Sequence, residues 1–269
     1  MANKTTVITG ASSGIGEGIA RRLGSAGHRL VLAARREAEL ERVADEATRA
    51  GSPGVITVPT DVTRRKEVEA LSERAIAEFG GYDVWINNAG RGITRSVLDL
   101  SDDDFDQIIA VNVKSALYGM QAAARHFIAR GSGQIINISS FLGRVPLALH
   151  RSAYNAAKAA LNSLTGNLRT ELTNRSPNIH VTLVMPGMVA TDFARNALNA
   201  PPNMAGYSGS HVQTIEQIAD MIAEVIAHPV AEVYTNAASR EMAQRYFDDP
   251  TVFDRPGSNP WMPRVPPSS

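Results

Sequence analysis

The stretch TGASSGIG, residues 9–16, stands between an apolar run that ends at Thr9 and an amphipathic segment that begins at Gly14. Glycines at these positions let the backbone turn tightly and approach a pyrophosphate, whose charge is stabilised at the N-terminus of the following helix. The candidate cofactor contacts of this turn are Gly10, Ser12, Ser13, Gly14, Ile15 and Gly16. The spacing is Gly-x3-Gly-x-Gly instead of Gly-x-Gly-x-x-Gly, and a strand–helix turn without a ligand is the alternative.

The rest of the chain alternates short apolar runs, rich in β-branched residues, with longer amphipathic stretches. The runs predict strands at Thr6–Thr9, Leu30–Ala34, Val55–Pro59, Val84–Ile86, Gln134–Ile138, His180–Val184 and Glu232–Thr235. The stretches predict helices at Gly14–Ala26, Glu37–Ala50, Arg64–Phe79, Ser101–Arg130, Ser152–Asn174 and Thr214–Ala227. Such alternation is typical of a parallel sheet covered by helices on both faces. We therefore predict an α/β fold with a doubly wound parallel sheet.

The chain has 269 residues, which suffices for one domain with a sizeable core, predicted here for residues 1–247. Segment 187–213 is rich in Gly, Asn, Ala and Pro and is long for a connection, so we predict that it is a functional lid. Residues 248–269 carry six prolines and little periodicity. We expect this tail to be disordered or to lie on a neighbouring surface.

Composition excludes several classes of function. Lys plus Arg equals Asp plus Glu at 27 residues each, without a basic stripe, so nucleic acid is not an expected partner. The absence of cysteine removes disulfides, thiolate metal sites and cysteine nucleophiles, and the scattered histidines lack metal-site spacing. There is no room for a signal peptide before the first predicted strand, and no apolar run is long enough to cross a bilayer. We expect a cytoplasmic protein with no metal and no membrane partner.

Tyr154 and Lys158 stand four residues apart in a predicted helix, and Tyr154 follows Ser140 by fourteen residues. Positions i and i+4 share a helix face, so the phenol and the ammonium are expected side by side. A cation there stabilises phenolate and lowers the pKa of the tyrosine from its reference of about 10, which suits proton exchange with an alcohol oxygen. The glycine turn then suggests a hydride from a dinucleotide as the other half of the reaction. For the pair alone, a solvated Tyr–Lys contact is the alternative.

The end of the second predicted strand bears on the choice of cofactor. A carboxylate there would bind the adenosine ribose hydroxyls and repel a 2′-phosphate. The sequence instead has Ala34, Arg35 and Arg36, with no carboxylate until Glu37. A guanidinium is a forked, permanently charged ligand for phosphate, so we expect NADP(H), with Arg35 the favoured contact and NAD(H) the less favoured cofactor. The alternative is that both arginines merely solvate the start of a helix.

Separated motifs follow the glycine turn in a characteristic order. They are Asp61-Val62, Asn87-Asn88-Ala89-Gly90, Asn112, Ser139-Ser140, Tyr154 with Lys158, and Pro186-Gly187 with Thr191. With these motifs the chain resembles the short-chain dehydrogenase/reductases, in the single-domain branch whose tyrosine lies in Tyr-x3-Lys, over about residues 4–236. The resemblance implies a Rossmann fold, a nicotinamide dinucleotide as cofactor, and assembly as a homodimer or homotetramer.

The resemblance also implies roles for single residues. Ser140 would hold the substrate oxygen, Tyr154 would be the general acid in reduction and the base in oxidation, and Lys158 would lower the tyrosine pKa and bind the nicotinamide ribose. Asn112 would support a water that links the lysine to solvent. Further implied cofactor contacts are Asp61, Val62, Asn87, Ala89, Gly90, Pro186, Gly187, Val189 and Thr191. Many relatives have one residue fewer between the serine and the tyrosine, so we expect a bulge in the loop Phe141–Ala153.

The substrate is expected beyond the carboxyl ends of the strands, where open α/β sheets bind ligands. Candidate contacts are Ser140, Phe141, Leu149, His150, Met188 and Tyr207, with Leu142 beside them. Their mainly apolar character favours a hydrophobic carbonyl compound or alcohol, while Arg91 and Arg144 leave an anionic substrate open. We predict an NADP(H)-dependent oxidoreductase that interconverts a ketone or aldehyde and an alcohol. The alternatives are an NAD-preferring hydroxysteroid or polyol dehydrogenase, and a redox sensor that binds dinucleotide without turnover.

Overall fold

Strands and helices alternate along the computed structural model, which describes residues 4–201 and 212–254. The strands are β1 (Thr5–Thr9), β2 (Arg29–Ala34), β3 (Val55–Pro59), β4 (Val84–Asn87), β5 (Gly133–Ile138), β6 (Ile179–Met185) and β7 (Glu232–Tyr234). The helices are α1 (Gly14–Ser25), α2 (Glu37–Ala50), α3 (Arg65–Phe79), α4 (Asp102–Ile109), α5 (Ser115–Arg130), α6 (Ser152–Arg175), α7 (Ile215–Ala227) and α8 (Ala237–Asp248). Each predicted strand is present, and its bounds differ from the predicted ones by at most one residue.

Within the described residues the strands form one parallel sheet in the order β3-β2-β1-β4-β5-β6-β7. The order reverses beside β1, because the chain passes from β3 at one edge to β4 on the other side of β1. The predicted doubly wound α/β sheet is therefore confirmed. In such a sheet a crevice opens beyond the carboxyl ends of the strands at the reversal point, here between β1 and β4.

Alternate residues of the central strands pack into two apolar layers. In β1, Ile8 lies with residues of α1, α2 and α7, whereas Val7 lies with residues of α3, α5 and α6. Side chains alternate across a strand, so this arrangement buries both faces of β1. Double burial explains why the strand, TTVIT, carries β-branched residues at every position and no charged residue on either face. The layers hold the strand ends, and the loops that follow them, in fixed positions.

The predicted helix Ser101–Arg130 is divided in the structure. Ser101 caps α4, because its Oγ accepts a hydrogen bond from the Asp104 amide at 3.2 Å. A π-helical segment, Ala110–Lys114, then separates α4 from α5. Widened turns of this kind are frequent at functional sites, and this one contains Asn112. A single π turn hardly changes the hydrophobic period, so the sequence pattern does not reveal the division.

The C-terminal part of the chain differs from the expected structure. Helix α8 is not among the predicted helices; it begins where the Asn236 side chain accepts a hydrogen bond from the Ser239 amide at 2.7 Å. After α8 the chain turns, and Phe253 is only 4% exposed, packed in the same apolar cluster as Tyr154 and beneath the guanidinium of Arg245. The part of the predicted tail that the structure describes, residues 248–254, thus packs through Phe253 against the same domain that contains Tyr154. The remainder of that tail is outside the described residues.

His28 precedes β2 and is fully buried, with its Nδ1 3.0 Å from the Thr6 hydroxyl. Burial lowers the pKa of His28 to about 4, because the charged ring would lose its hydration. The unfolded chain retains a pKa of about 6.5 and so binds the extra proton between these values. The free energy of unfolding should therefore fall by up to about 3 kcal/mol as the pH drops from about 6.5 to about 4.

Urea denaturation at a series of pH values measures this dependence. The variant His28→Gln, whose side chain does not titrate, should show a flatter dependence of unfolding free energy on pH in this range. An equal slope in the variant and the parent would contradict the assignment to His28.

Candidate active site

A cleft of about 830 Å³ opens beyond the carboxyl ends of the central strands, at the reversal point of the sheet. The glycine turn forms one side, and the segment that follows β6 forms the other. Most of the predicted site residues line it. They are Gly10, Ser12, Ser13, Gly14, Ile15, Arg35, Arg36, Asp61, Val62, Ala89, Gly90, Ser140, Phe141, Tyr154, Lys158, Pro186, Gly187, Met188, Val189 and Thr191.

The glycine turn needs its glycines for close backbone contact. Gly10 has a φ of +65°, and a Cβ there would lie 2.8 Å from the Cα of Ala89. A Cβ on Gly16 would lie 2.3 Å from the Gly10 carbonyl oxygen, so Gly16 allows α1 to begin directly against the turn without itself lining the cleft. The Asn88 side chain fixes the same turn by donating to the carbonyls of Thr9 and Gly10 at 3.0 and 3.1 Å.

The N-terminus of α1 faces the cleft and fits a pyrophosphate. Ser13 occupies the N-cap position but makes no side-chain capping bond, so the first amides of α1 are not satisfied by their own cap. Those amides and the helix dipole favour an anion. The space in front of Gly14 is also restricted, since a Cβ there would meet the Thr191 Cγ2 at 3.4 Å. Phosphate could approach the backbone here only because position 14 has no side chain.

The two arginines after β2 both line the cleft, in different surroundings. The Nη2 of Arg36 donates to the Ser12 Oγ at 3.0 Å and to the Ser13 Oγ at 2.8 Å. This guanidinium is therefore held against the glycine turn, together with two hydroxyl groups. Arg35 lies nearer the third strand, where its charge acts on Asp61. The sequence favours Arg35 as the phosphate ligand, whereas the structure brings Arg36 to the serines.

Asp61 and Val62 follow β3 and line the cleft beside Arg35. Partial burial opposes the ionisation of Asp61, but hydrogen bonds from the Thr63 amide and hydroxyl, with the charge of Arg35, hold its pKa below the usual value. The carboxylate is therefore ionised at neutral pH. An ionised carboxylate can accept hydrogen bonds, which fits the cofactor contact that the resemblance implies for Asp61.

Ser140, Tyr154 and Lys158 come together at the inner end of the cleft, and all three are buried. Tyr154 and Lys158 share one face of α6, and the Lys158 Nζ lies 5.6 Å from the centre of the Tyr154 ring. The same Nζ donates to the Ile138 carbonyl at 2.9 Å. Because burial removes hydration from the ammonium, the pKa of Lys158 is lowered to about 7. A solvated surface pair does not describe these residues.

The loop between Ser140 and Tyr154 begins with a tight turn. Phe141–Gly143 forms one 3₁₀ turn, capped by the Ser140 Oγ, which accepts from the Leu142 amide at 3.2 Å. Gly143 packs directly on α6: a Cβ there would lie 2.7 Å from the carbonyl carbon of Lys158. This close approach brings Ser140 to the tyrosine and lysine side of the cleft.

Asn112 supports the inner end of the cleft from behind. In the π-helical segment its Nδ2 donates to the carbonyls of Arg91 and Ile108 at 2.9 and 3.0 Å, and its Oδ1 accepts from the Arg91 amide. It does not line the cleft itself. A Cβ on Gly90 would lie 2.9 Å from the Asn112 Oδ1 and 3.6 Å from the Lys158 Nζ, so a side chain at position 90 would crowd both groups.

Asn87 does not lie where the resemblance implies. It is absent from the lining of the cleft, and its amide is buried in a polar chain across the sheet. The Trp85 Nε1 donates to the Asn87 Oδ1 at 2.8 Å, and the Asn87 Nδ2 donates to the Asn137 Oδ1 at 2.8 Å. Asn87 is the last residue of β4, and its side chain points into the layer of α5 and not towards the cleft. Its side chain ties β4 to β5 instead of lining the cleft.

Two kinds of site are not found in the described parts of the chain. Residues 4–201 and 212–254 contain no group of three or more histidine or acidic side chains placed to hold a metal ion. Within the same residues, no helix has the length and apolar character required to span a membrane.

Comparison with known families matches this geometry. A family model described as short chain dehydrogenase matches residues 4–202. The chain belongs to the short-chain dehydrogenase family. It is therefore an oxidoreductase whose cofactor is a nicotinamide dinucleotide and whose substrate is a small molecule.

The solved structures that resemble this short-chain dehydrogenase contain different dinucleotides. An uncharacterized oxidoreductase of Staphylococcus aureus is 39% identical over 191 residues, which cover 71% of this chain and 80% of the relative. A short chain dehydrogenase/reductase of Burkholderia phymatum, solved in complex with NAD, has a TM-score of 0.83 at 27% identity and covers 100% of this chain and 98% of its own. An alcohol dehydrogenase of Thermococcus sibiricus, solved with 5-hydroxy-NADP, has a TM-score of 0.74 at 28% identity. The match covers 86% of this chain and 95% of the Thermococcus chain.

The substrate end of this short-chain dehydrogenase departs from the predicted set. Phe141 and Met188 line the cleft, but Leu149 and His150 are exposed outside it, because the chain turns away before α6 begins. Tyr207 lies outside the described residues. The residues that line the cleft but were not predicted from the sequence include Gln107, Arg151, Phe193, Asn196 and Leu198. For one of them a signal was available, since Arg151 stands one helical turn before Tyr154.

Proposed function

We propose that this short-chain dehydrogenase is NADP(H)-dependent and interconverts a ketone or aldehyde and the corresponding alcohol. One observation carries the proposal: buried Ser140, Tyr154 and Lys158 line the same cleft as the glycine turn at the N-terminus of α1. The turn fits a dinucleotide phosphate, and the three side chains fit a carbonyl oxygen that gains a proton. A protein that binds the dinucleotide without turnover would need the glycine turn but not the three side chains.

The chain's own residues would handle the oxygen and the proton. A bound nicotinamide supplies the hydride in reduction or accepts it in oxidation. The hydroxyls of Ser140 and Tyr154 would donate hydrogen bonds to the substrate oxygen, and Tyr154 would pass its proton to that oxygen as negative charge develops there. A protonated Lys158 would stabilise the phenolate that remains, since opposite charges favour each other in a buried site.

The preference for NADP(H) rests on the arginines after β2. Arg36, with the hydroxyls of Ser12 and Ser13, forms a positively charged, hydrogen-bonding corner next to the glycine turn, and Arg35 borders the same cleft. A phosphate on the adenosine ribose would gain charge-assisted hydrogen bonds there. The relatives do not decide the matter, because the Thermococcus structure contains an NADP derivative and the Burkholderia structure contains NAD.

Transfer of deuterium tests whether the reaction is a hydride transfer to carbon. With NADPH deuterated at the nicotinamide C4 position and a reducible ketone, the alcohol product should carry deuterium on its carbinol carbon. Mass spectrometry of the product measures this. Alcohol formed without deuterium, from cofactor labelled on either face, would contradict direct transfer.

The pKa of Lys158 predicts a proton linkage for cofactor binding. With a pKa of about 7, Lys158 is mostly neutral in the free enzyme at about pH 8. The negative charge of a dinucleotide favours the ammonium, so binding of NADPH at this pH should take up a proton, and the Kd should rise as the pH increases. Calorimetric titration in two buffers of different ionisation enthalpy measures the uptake. Lys158→Met should remove it, and an undiminished uptake in that variant would place the proton elsewhere.

A further inference from the structure

Two arginines, Arg91 and Arg151, are among the residues that line the cleft. Arg151 is 7% exposed, and its Nη1 donates to the Ile93 carbonyl at 2.9 Å. The Nε of Arg91 donates to the Asn196 carbonyl at 3.3 Å. Backbone oxygens therefore hold both side chains in place, which leaves less conformational freedom to be lost when they bind a ligand.

Both arginines lie on the substrate side of Tyr154. Arg151 stands one helical turn before Tyr154, and the ring of Phe193 lies 5.3 Å from the Tyr154 ring. A Cβ on Gly92 would lie 2.9 Å from the Arg151 Nη1 and 2.9 Å from the Phe193 Cε1, so the guanidinium and the phenyl ring flank the same backbone. The glycine turn and Arg36 are at the opposite, cofactor end of the cleft.

The charge at this end of the cleft is positive. Among the described residues that line the cleft, the carboxylates are Asp61 and Asp192. Asp61 belongs to the cofactor end, and Asp192 is largely exposed and paired with Arg195 at 2.9 Å. The other arginine that the sequence offered as an anion ligand, Arg144, is instead bound by both oxygens of Glu232 and does not line the cleft.

We propose that Arg91 and Arg151 bind an anionic group of the substrate, so that the preferred substrate is a carbonyl compound with a carboxylate or phosphate. This inference rests on the proposed function and narrows its substrate class. The forked guanidinium matches the oxygens of either anion, and burial of Arg151 strengthens the attraction. Phe141, Leu142 and Phe193 line the cleft as well and fit an apolar segment between the anion and the carbonyl.

The anionic group takes no part in the chemical change. In reduction, a hydride adds to the carbonyl carbon while NADPH is oxidised to NADP⁺. The π electron pair of the C=O bond moves to the oxygen, which takes the proton of Tyr154, and the product is a hydroxy acid or hydroxy phosphate. The arginines act only on binding and orientation, so their loss should appear as a change in preference among carbonyl compounds.

Matched pairs of substrates test the inference. The probes are methyl-ketone carboxylic acids of increasing chain length, the methyl ester of each acid, and dihydroxyacetone phosphate. The wild type should prefer at least one anion over its neutral partner in kcat/KM. Arg91→Gln and Arg151→Gln should each lower the acid-to-ester ratio about ten- to a hundredfold, the usual effect of losing a hydrogen bond to a charged group. Arg49→Gln, which removes an equal charge from an exposed residue of α2 outside the cleft, should leave the ratio unchanged.

Binding gives a second readout that does not depend on turnover. A saturated monocarboxylate of the preferred chain length should raise the Tm of the wild-type enzyme with NADPH, but not that of Arg91→Gln. Arg91 is exposed, so this variant tests the inference even where Arg151→Gln does not fold.

The outcomes separate the two proposals. Reduction of neutral ketones without preference for either anion would overturn the anion site and leave the reductase intact. An unchanged acid-to-ester ratio in a folded Arg91→Gln, or a ratio lowered equally by Arg49→Gln, would likewise overturn it. No oxidation of NADPH by any carbonyl compound would overturn the reductase proposal and this inference with it.

Discussion

Replacing Tyr154 by Phe should reduce carbonyl turnover about a hundred- to ten-thousandfold while NADPH still binds, because the variant keeps the ring and loses only the proton donor. The ring is buried against Phe193 and lies beside Lys158, so Phe fits the same space. Cofactor binding depends mainly on the glycine turn and should change little. Initial rates of NADPH oxidation measure the turnover, and fluorescence titration of NADPH measures the binding.

Tyr118→Phe is the matched control for this variant. Tyr118 lies on α5 against the Arg65 guanidinium and does not line the cleft, so loss of its hydroxyl should leave the rate unchanged. A Tyr154→Phe enzyme that retains wild-type turnover would show that the tyrosine is not the proton donor. A variant that no longer binds NADPH would report damage to the cofactor site and would contradict the expected separation of binding from chemistry.

Replacing Arg36 by Ala should raise the Kd for NADPH about ten- to a hundredfold and leave the Kd for NADH nearly unchanged. A hydrogen bond to a charged group contributes about 1.5–3 kcal/mol, and only NADPH carries the phosphate that Arg36 would bind. Arg36 is already held by the hydroxyls of Ser12 and Ser13, whereas Arg35 lies near Asp61. We therefore expect a larger effect from Arg36→Ala than from Arg35→Ala, and the largest from the double variant.

Arg49→Ala provides the control for charge alone. Arg49 is exposed in the last turn of α2, at the far end of the helix from Arg36, and does not line the cleft. It should leave both dissociation constants unchanged. Equal weakening of NADPH and NADH in Arg36→Ala would remove the basis for NADP(H) preference and favour an enzyme that uses NAD(H).

Much of this fold is predictable from the sequence because the central strands are buried on both faces. Val7 and Ile8 of β1 must both be apolar because they fill the layers on its two sides, and the strand ends where the glycine turn begins. The pair Tyr154 and Lys158 was predictable for a similar reason, since helical geometry alone puts positions i and i+4 on one face. Such features depend on neighbours in the sequence and need no knowledge of distant contacts.

Other features depend on contacts between distant segments and are not predictable from local pattern. Asn87 belongs to the same motif as Ala89 and Gly90, yet its side chain is hydrogen-bonded to Trp85 and Asn137. His150 lies close to Tyr154 in sequence but outside the cleft, because the chain turns before α6. In each case the direction of one side chain decides its role, and tertiary packing sets that direction.

The choice between Arg35 and Arg36 shows the same limit. The sequence identifies a basic end to β2 and excludes a carboxylate there, which suffices to expect a phosphate. Which guanidinium contacts the glycine turn depends on the positions of Ser12 and Ser13, which lie 24 and 23 residues before Arg36 in the sequence. The structure supplies that contact, and binding measurements on the two variants will rank the arginines.

The most direct test of the proposed function is the rate of NADPH oxidation by the purified wild-type enzyme with a panel of ketones, aldehydes, oxo acids and steroids. NADH serves as the parallel control. We expect turnover of at least one carbonyl compound, with a higher kcat/KM for NADPH than for NADH. Tight binding of NADPH with no turnover across the panel would contradict the assigned chemistry and point to a dinucleotide sensor, and faster turnover with NADH would contradict the assigned cofactor.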